Sequence, residues 1–240
     1  MDVTSTEAQN NFGRYLKLAQ YEDVVITKNG KNIAIIKACT SNENPIIEIA
    51  EKAGKYYTHN NKLSFDEFLK LSEASDNKYE YIDGEVYLLA SPSFKHQRIS
   101  MEISSAMYVW SMGKPCKPIT APFDITLLKD DNKNVVQPDI MVICDTNHIN
   151  DNGTYTGIPS LVVEILSETT RNKDMLKKLD LYLSGGVSEY WIVNPFSKEI
   201  YMYYAVDREI RDYKVYTDNE IVRSIVFEEF QLPLEQVFSQ

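Results

Sequence analysis

The chain has 240 residues, 43% of them hydrophobic, and a formal net charge of −10, which allows one large or two smaller domains and argues against wholesale disorder. No apolar run reaches the roughly 18 residues that span a membrane, and the N-terminus lacks a secretory signal, so we expect a cytoplasmic protein. The charge deficit lies in residues 61–240, which carry 18 Lys/Arg and 28 Asp/Glu, and such an acidic segment binds nucleic acid poorly unless a metal ion or a basic patch reverses the local field.

The first forty residues predict one helix and a β-hairpin. Thr4 and Glu7 have the spacing of a capping box, so we expect a helix over residues 5–20, where apolar side chains recur every three or four positions. Asn29-Gly30 then separates two β-branched runs, which is a strong hairpin signal. A unit of this size is too small to be stable alone, so we expect it to need a partner, and a homodimer is the simplest choice.

Residues 41–61 are more polar and are interpreted as a linker with some helical content. The remaining segment, 62–240, predicts an α/β fold with a mixed sheet. The predicted helices are 64–74, 93–112 and 170–184. The predicted strands are 79–82, 85–90, 119–128, 135–143, 161–166, 189–193, 200–205 and 212–216.

Two carboxylates interrupt apolar runs of this segment and are its most informative feature. Asp139 follows Val135-Val136-Gln137-Pro138, and Glu164 follows Leu161-Val162-Val163. Both runs are typical of buried strands, where an unpaired carboxylate is costly. Two acids on neighbouring strands are explained by a divalent metal ion. The alternative is that each acid is a satisfied structural carboxylate.

The cysteines and histidines give no comparable signal. Cys39, Cys116 and Cys144 are widely spaced without a CxxC pattern, so we expect ordinary buried thiols in a reducing compartment. The three histidines are equally scattered, which argues against a zinc site.

Residues 1–40 resemble the Phd/YefM antitoxin family. The similarity is carried by Val3-Thr4-Ser5-Thr6-Glu7-Ala8-Gln9-Asn10-Asn11-Phe12, by Val25-Ile26-Thr27-Lys28-Asn29-Gly30 and by Ala34-Ile35-Ile36. The resemblance implies a small dimer that docks on DNA, with Arg14, Lys17 and Lys28 as phosphate contacts. These three residues are otherwise explained as solvated surface charges. No counterpart of the family's toxin-binding tail is recognisable, because a large domain follows instead.

Residues 62–240 resemble the Uma-two family of restriction-endonuclease-like proteins, part of the PD-(D/E)xK superfamily. The similarity is carried by Tyr79-Glu80-Tyr81-Ile82-Asp83-Gly84-Glu85, His96, Gln137-Pro138-Asp139, Pro159-Ser160-Leu161-Val162-Val163-Glu164-Ile165-Leu166-Ser167, Asp174, Lys178, Tyr182, Gly186-Val187 and Glu189-Tyr190-Trp191-Ile192-Val193. The resemblance implies a metal-dependent nuclease fold. Asp139 and Glu164 would then hold Mg²⁺ or Mn²⁺, with the backbone carbonyl of Ile165 as a third ligand.

The sequence departs from the superfamily at one position. The usual ExK lysine would stand two residues after Glu164, where this chain has Leu166. Asp174, Lys178 and Tyr182 recur every four residues and share one helix stripe, so Lys178 can supply the missing charge if that helix packs beside the Glu164 strand. The alternative is a surface ion pair between Asp174 and Lys178.

Two further residues are candidates for the same site. Glu80 is assigned as an additional acid, either a metal ligand or a residue that orients one, although it can equally belong to the hairpin alone. His96, near a helix start, is a candidate general base or phosphate contact, with a capping or core role as the alternative.

The leading hypothesis is a metal-dependent DNA endonuclease with an N-terminal module for dimerisation and DNA docking. A second hypothesis is a non-catalytic DNA-binding regulator on a degenerate nuclease fold, which the missing lysine and the acidic charge favour. A third is an antitoxin-like interaction protein that neutralises a toxin through residues 1–40.

Overall fold

The structure is a computed structural model that describes residues 2–10, 24–28, 30–36, 62–151, 153–167 and 177–239. The chain divides into two compact units, Met1–Ile46 and Ile47–Gln240. The predicted linker, 41–61, lies outside the described residues. No helix in the described part of the chain is both long enough and apolar enough to cross a lipid bilayer.

The first unit contains a short helix and a three-stranded sheet. Strand β1 (Asp2–Thr4) pairs in parallel with β2 (Val24–Lys28), and β2 forms an antiparallel hairpin with β3 (Lys31–Ile36). Helix α1 is described over Ser5–Asn10, and the rest of the predicted helix lies outside the described residues. Strand β1 was not predicted, because three residues are too few to show a period.

The local signals of this unit have the expected geometry. The Thr4 hydroxyl accepts a hydrogen bond from the backbone N–H of Glu7 at 3.2 Å, and the Glu7 carboxylate accepts one from the backbone N–H of Thr4 at 3.0 Å. Gly30 has a φ of +73° between the hairpin strands, a conformation that glycine adopts without steric cost. The predicted helix start and hairpin are therefore confirmed in the described residues.

The second unit is a mixed α/β structure. Along the chain its elements are α2 (Phe65–Glu73), β4 (Tyr79–Ile82), β5 (Glu85–Leu88), α3 (Phe94–Trp110), β6 (Lys117–Thr120), β7 (Ile125–Lys129), β8 (Asn132–Val136), β9 (Ile140–Ile143), β10 (Leu161–Ile165), α4 (Leu179–Ser184), β11 (Glu189–Asn194), β12 (Glu199–Val206), β13 (Glu209–Tyr216), β14 (Ile221–Arg223), β15 (Gln231–Pro233) and α5 (Leu234–Phe238).

These strands form separate sheets rather than the single sheet expected from the sequence. The larger sheet has the order β13-β12-β11-β10-β9-β6, and within it only the β10–β11 pair is parallel among the described strands. A four-stranded antiparallel sheet has the order β5-β4-β8-β7, and β14 pairs with β15. The period of a strand shows which residues are buried but not which sheet the strand joins.

The two faces of the large sheet bury different partners. Residues of β9, β10 and β11 are buried throughout, as expected for central strands covered on both sides. On one face Val163 packs in a cluster with Ile103 of α3, and on the other Val162 packs in a cluster with Leu181 of α4. Successive side chains of β10 therefore point alternately towards α3 and towards α4, and Glu164 shares the α4 face.

Two of the predicted strands are broken. The predicted strand 119–128 is divided at Ala121-Pro122 into β6 and β7, and the predicted strand 135–143 is divided at Gln137-Pro138-Asp139 into β8 and β9. Proline has no N–H to continue a strand ladder. Asp139 therefore lies in a break between strands of different sheets, and not inside a buried strand as predicted.

The prediction of free thiols is wrong for two cysteines. The Sγ atoms of Cys116 and Cys144 are bonded in a disulfide. The two residues flank β6 and β9, in which Lys117 pairs with Ile143, so the sheet register brings them together. Cys39 lies outside the described residues. A sequence separation of 28 carries no local signal for such a pair.

Candidate active site

Asp139 is held at the strand break by the neighbouring strand. One oxygen of its carboxylate, Oδ2, accepts a hydrogen bond from the backbone N–H of Ile165 at 2.7 Å, and its backbone carbonyl accepts one from Ala121 at 3.0 Å. The first contact ties Asp139 to the last residue of β10, one position after Glu164. The two predicted acids therefore lie side by side, as the sequence suggested.

Glu164 is a nearly buried carboxylate, with 6% of the residue exposed. Its Oε1 accepts a hydrogen bond from Lys178 Nζ at 3.0 Å and one from the Tyr182 hydroxyl at 2.6 Å. Lys178 and Tyr182 are four residues apart at the start of α4, so the predicted helix stripe does face the Glu164 strand. Asp174, the first residue of that stripe, lies outside the described residues.

Lys178 joins two acids that are far apart in the sequence. Its Nζ is 2.9 Å from Glu80 Oε1 and 3.0 Å from Glu164 Oε1, and only 5% of the residue is exposed. Lys178 is therefore not a surface residue, and the alternative partner Asp174 lies outside the described residues. The ammonium of Lys178 lies beside Glu164, the acid that an ExK lysine would follow by two residues.

Glu80 accepts hydrogen bonds both from Lys178 and from the backbone at the strand break. In addition to Lys178, its Oε1 accepts a hydrogen bond from the backbone N–H of Gln137 at 3.0 Å. The Gln137 side chain donates to Asp124 at 2.7 Å. This arrangement agrees with the role of Glu80 as a residue that orients others. Gln137 itself also lines the cleft, two residues before Asp139.

His96 contacts Asp139 from the first turn of α3. Its backbone N–H donates to the N-cap hydroxyl of Ser93 at 3.2 Å, and its Nε2 lies 3.1 Å from Asp139 Oδ2. Burial lowers the pKa of His96, but the hydrogen bond to Asp139 and the charge of that carboxylate raise it more, so the net shift is upward. The interaction favours the protonated ring and holds Asp139 in place.

The electrostatics of the cluster favour an added cation. The pKa of Glu164 is raised to about 8, chiefly by burial; Lys178 opposes that shift, and the carboxylates of Asp139 and Glu80 add to it. Lys178 and a protonated His96 are two cations beside three acids, so one negative charge stays unbalanced when all three acids are ionised. A buried carboxylate under this strain gains a proton or a second cation.

The five predicted catalytic residues line one cleft of about 600 Å³. They are Glu80, His96, Asp139, Glu164 and Lys178. Ile165, the predicted carbonyl ligand, lines the same cleft. The structure therefore brings together all of the residues that the sequence assigned to the catalytic site.

The donor groups fit a hard divalent cation. Among the described residues, Asp139 Oδ1 and Glu164 Oε2 accept no hydrogen bond, so each acid has an oxygen left for a metal ion. No group of three or more His, Cys, Asp or Glu side chains that could hold a metal ion occurs in that part of the chain. Two carboxylates and the Ile165 carbonyl suit an ion such as Mg²⁺, which keeps several of its waters, better than one that needs a complete protein cage.

The three predicted DNA contacts belong to the N-terminal segment of the chain. Lys28 is exposed at the end of β2 in the first unit. Arg14 and Lys17 lie outside the described residues.

Several cleft residues were missed or given too little weight. Lys177 donates to Glu85 and to the Tyr87 hydroxyl, both at 2.7 Å, although it stands off the stripe of Asp174, Lys178 and Tyr182. Lys95 and Phe196 also line the cleft. Nothing in their local sequence pattern distinguishes them from ordinary surface residues.

Comparison with known proteins identifies relatives of the second unit. Residues 65–235 match the family Uma2, described as "Putative restriction endonuclease". Two uncharacterized proteins from Synechocystis sp. are similar. The first, slr1290, is 31% identical over 147 residues, which cover 61% of this chain and 76% of the relative. The second, sll1609, is 26% identical over 150 residues, which cover 61% of this chain and 84% of the relative.

A solved structure has the same fold. The crystal structure described as a putative nuclease belonging to DUF820, from Anabaena variabilis, superimposes with a TM-score of 0.60 and 24% sequence identity, over 74% of this chain and 98% of that one. The restriction-endonuclease-like α/β fold predicted for the second unit is therefore confirmed. None of these matches addresses the antitoxin-like resemblance of residues 1–40.

Proposed function

The chain belongs to the Uma2 family, and from its cleft we propose that it is a metal-dependent DNA endonuclease that hydrolyses phosphodiester bonds. The observation that carries the proposal is the ion-paired cluster of Lys178 with Glu164 and Glu80, which lies in one cleft with Asp139. The superfamily motif normally places its lysine two residues after the glutamate, on the same strand. Here the lysine comes from the helix that packs on that strand.

Asp139, Glu164 and the Ile165 carbonyl would hold Mg²⁺ or Mn²⁺. A divalent ion, when bound, supplies a water of lowered pKa as nucleophile and positive charge for the phosphate. The protein residues prepare the site for it. The Ile165 N–H and His96 fix the orientation of Asp139, and the Tyr182 hydroxyl and Lys178 fix that of Glu164.

Lys178 is assigned to stabilise the charge that develops on the phosphate. Its near-complete burial keeps water from screening the ammonium, so its field at the cleft is stronger than that of a surface lysine. Glu80 is assigned as a positioning residue, because it contacts Lys178 and the backbone at the strand break without contacting Asp139 in the described structure.

We propose the first unit as a module for dimerisation and DNA docking. Its described part has few buried apolar side chains, which is the condition under which small units associate. A dimer would place two clefts on one duplex. Lys28, with Arg14 and Lys17, would contact phosphates, and a toxin would be the partner if the module kept an antitoxin role. Sedimentation of the full chain, before and after removal of residues 1–40, tests the dimer.

The test of nuclease function is a plasmid cleavage assay with Mg²⁺, Mn²⁺ or EDTA, run alongside calorimetric titration of Mn²⁺. We expect cleavage with either metal ion and none with EDTA, and we expect Asp139→Asn to lose both cleavage and Mn²⁺ binding. DNA binding that survives without cleavage under any metal ion would favour the non-catalytic regulator instead.

A further inference from the structure

Phe196 is an exposed aromatic ring at the rim of the cleft that the proposed hydrolysis does not use. It lines the cleft, and 43% of it is exposed to solvent. It lies in the turn between β11 and β12, just beyond Val193, which pairs with Ile165 at the end of the strand that carries Glu164. The ring therefore lines the same cleft as the acids, from the turn that follows the neighbouring strand.

The turn that carries this ring is held from two sides. The side-chain oxygen of Asn194, a residue only 3% exposed, accepts hydrogen bonds from the backbone N–H groups of Phe196 at 3.0 Å and Ser197 at 3.3 Å. From α3, Lys95 Nζ donates to the carbonyl of Pro195 at 2.8 Å. An exposed ring on a turn fixed in this way loses little conformational freedom when a ligand covers it.

The charge around the ring suits an anionic ligand. Lys95 Nζ lies 5.7 Å from the centroid of the Phe196 ring. Of the three lysines that line the cleft, Lys177 and Lys178 are ion-paired with carboxylates, whereas Lys95 makes no ion pair among the described residues. The ammonium of Lys95 is thus a positive charge beside the ring that an anionic ligand can use.

We infer that Phe196 is a stacking platform for an unpaired nucleobase of the substrate strand, next to the phosphate that is cleaved; the inference rests on the proposed nuclease function. A rigid aromatic ring beside a cation is the arrangement that binds single-stranded nucleic acid, because every base has a face to stack. A base inside a duplex already has both faces covered. The preferred substrate is therefore a strand that is single-stranded or locally opened at the site.

The experiment measures binding separately from cleavage. The Glu164→Gln protein is mixed with Mg²⁺ and a single-stranded oligonucleotide that carries 2-aminopurine, whose fluorescence falls when it stacks on an aromatic ring. Binding is compared for Phe196→Leu, which keeps the apolar volume, and Phe196→Trp, which keeps the aromatic face. Tyr108→Leu, at an aromatic residue of α3 that is 61% exposed and is not among the described cleft residues, is the matched control.

We expect quenching and tight binding for the parent and for Phe196→Trp, unchanged binding for Tyr108→Leu, and about tenfold weaker binding without quenching for Phe196→Leu, the loss typical of one stacked base. Equal affinity and quenching in Phe196→Leu overturns the inference, as does the absence of quenching in the parent. Phe196-dependent binding in a protein whose wild type cleaves no DNA would support the platform while removing the nuclease proposal. If wild type cleaves DNA and Phe196→Leu changes neither cleavage nor binding, the nuclease proposal stands and the platform is removed.

Discussion

Two buried glutamates on neighbouring strands of the same sheet have opposite surroundings. Glu164 on β10 contacts a lysine and a tyrosine in the cleft, close to two further acids. Glu189 on β11 is fully buried away from the cleft, and its carboxylate accepts hydrogen bonds from the Trp191 indole, the Ser224 hydroxyl and the backbone N–H groups of Ile225 and Val226.

The difference shows how a structural acid is distinguished from a candidate catalytic acid. Glu189 has four neutral donors on its two oxygens, between 2.6 and 2.9 Å away. These hydrogen bonds stabilise its charge, and each oxygen of the carboxylate accepts at least one of them. Glu164 has both described partners on Oε1, and one of them is a cation. Burial alone is common to both, and only the partners separate them.

The largest expected effect is on cleavage. Glu164→Gln should lower the rate of metal-dependent DNA cleavage by about a thousandfold, the upper end of the scale for removing one group from a preorganised site, whereas Glu189→Gln should leave the rate of the folded fraction within about twofold. The measurement is single-turnover cleavage of one plasmid substrate. Equal losses in the two variants would contradict the distinction.

The next effect is on stability. Lys178→Met removes the cation between Glu80 and Glu164 and leaves two nearly buried acids unpaired, so the free energy of unfolding should fall by about 3 kcal/mol. Lys177→Met is the matched control, because its ion pair with Glu85 is more than one-third exposed and should cost less than about 1 kcal/mol. Urea denaturation measures both. A larger loss of stability in Lys177→Met than in Lys178→Met would refute the assignment of Lys178 as the buried cation between the two acids.

Glu189→Gln should be destabilising without affecting chemistry. An amide has one acceptor oxygen and an NH₂ group. In Glu189→Gln the NH₂ group would therefore lie against either the indole N–H or the backbone N–H groups, which need an acceptor. We expect a loss of about 2 kcal/mol, because buried donors are left unsatisfied. Thermal unfolding of Glu189→Gln beside wild type measures it. A variant as stable as wild type would show that these hydrogen bonds do not stabilise the fold around β11.

The comparison of wild type with Glu189→Gln also predicts a pH dependence of stability. Burial raises the pKa of Glu189 in the folded protein, and the hydrogen bonds from Val226, Trp191, Ser224 and Ile225 oppose the rise without cancelling it. Between the usual value near 4.5 and this raised pKa, the unfolded chain has released a proton that the folded chain still binds. Wild-type stability should therefore fall as pH rises through this window, and the advantage of wild type over Glu189→Gln should narrow. Urea denaturation at a series of pH values measures that difference. An advantage that widens with pH would contradict it.

The smallest expected effect concerns Tyr182. Tyr182→Phe removes one hydrogen bond to Glu164 and leaves Lys178 in place, so cleavage should slow by about fivefold, equivalent to about 1 kcal/mol. Calorimetric Mn²⁺ affinity should weaken by a similar factor if Tyr182 orients Glu164. Slower cleavage with unchanged Mn²⁺ affinity would show that Tyr182 acts on another step.

Part of the site was accessible from the sequence because its signals are local or carried by the family resemblance. Asp139 and Glu164 stand out as acids in apolar runs, and Lys178 follows from a four-residue helical spacing. Other features depend on contacts across the chain. Lys178 and Glu80 are 98 positions apart, and no periodicity connects them. The strand break at Asp139 was missed because an apolar run hides a change of sheet, although Pro138 was a signal for it.

The sequence by itself determined the starts of α1, α2 and α3, the hairpins, the buried strands, the two acids and the absence of a lysine at Leu166, because capping, turn geometry and burial depend on neighbours only a few residues away. The tertiary structure decided that Lys178 is buried between Glu80 and Glu164, that Cys116 bonds Cys144, and that Phe196 lines the cleft. These contacts join separate elements, and only the packing of sheets and helices sets the distances between them.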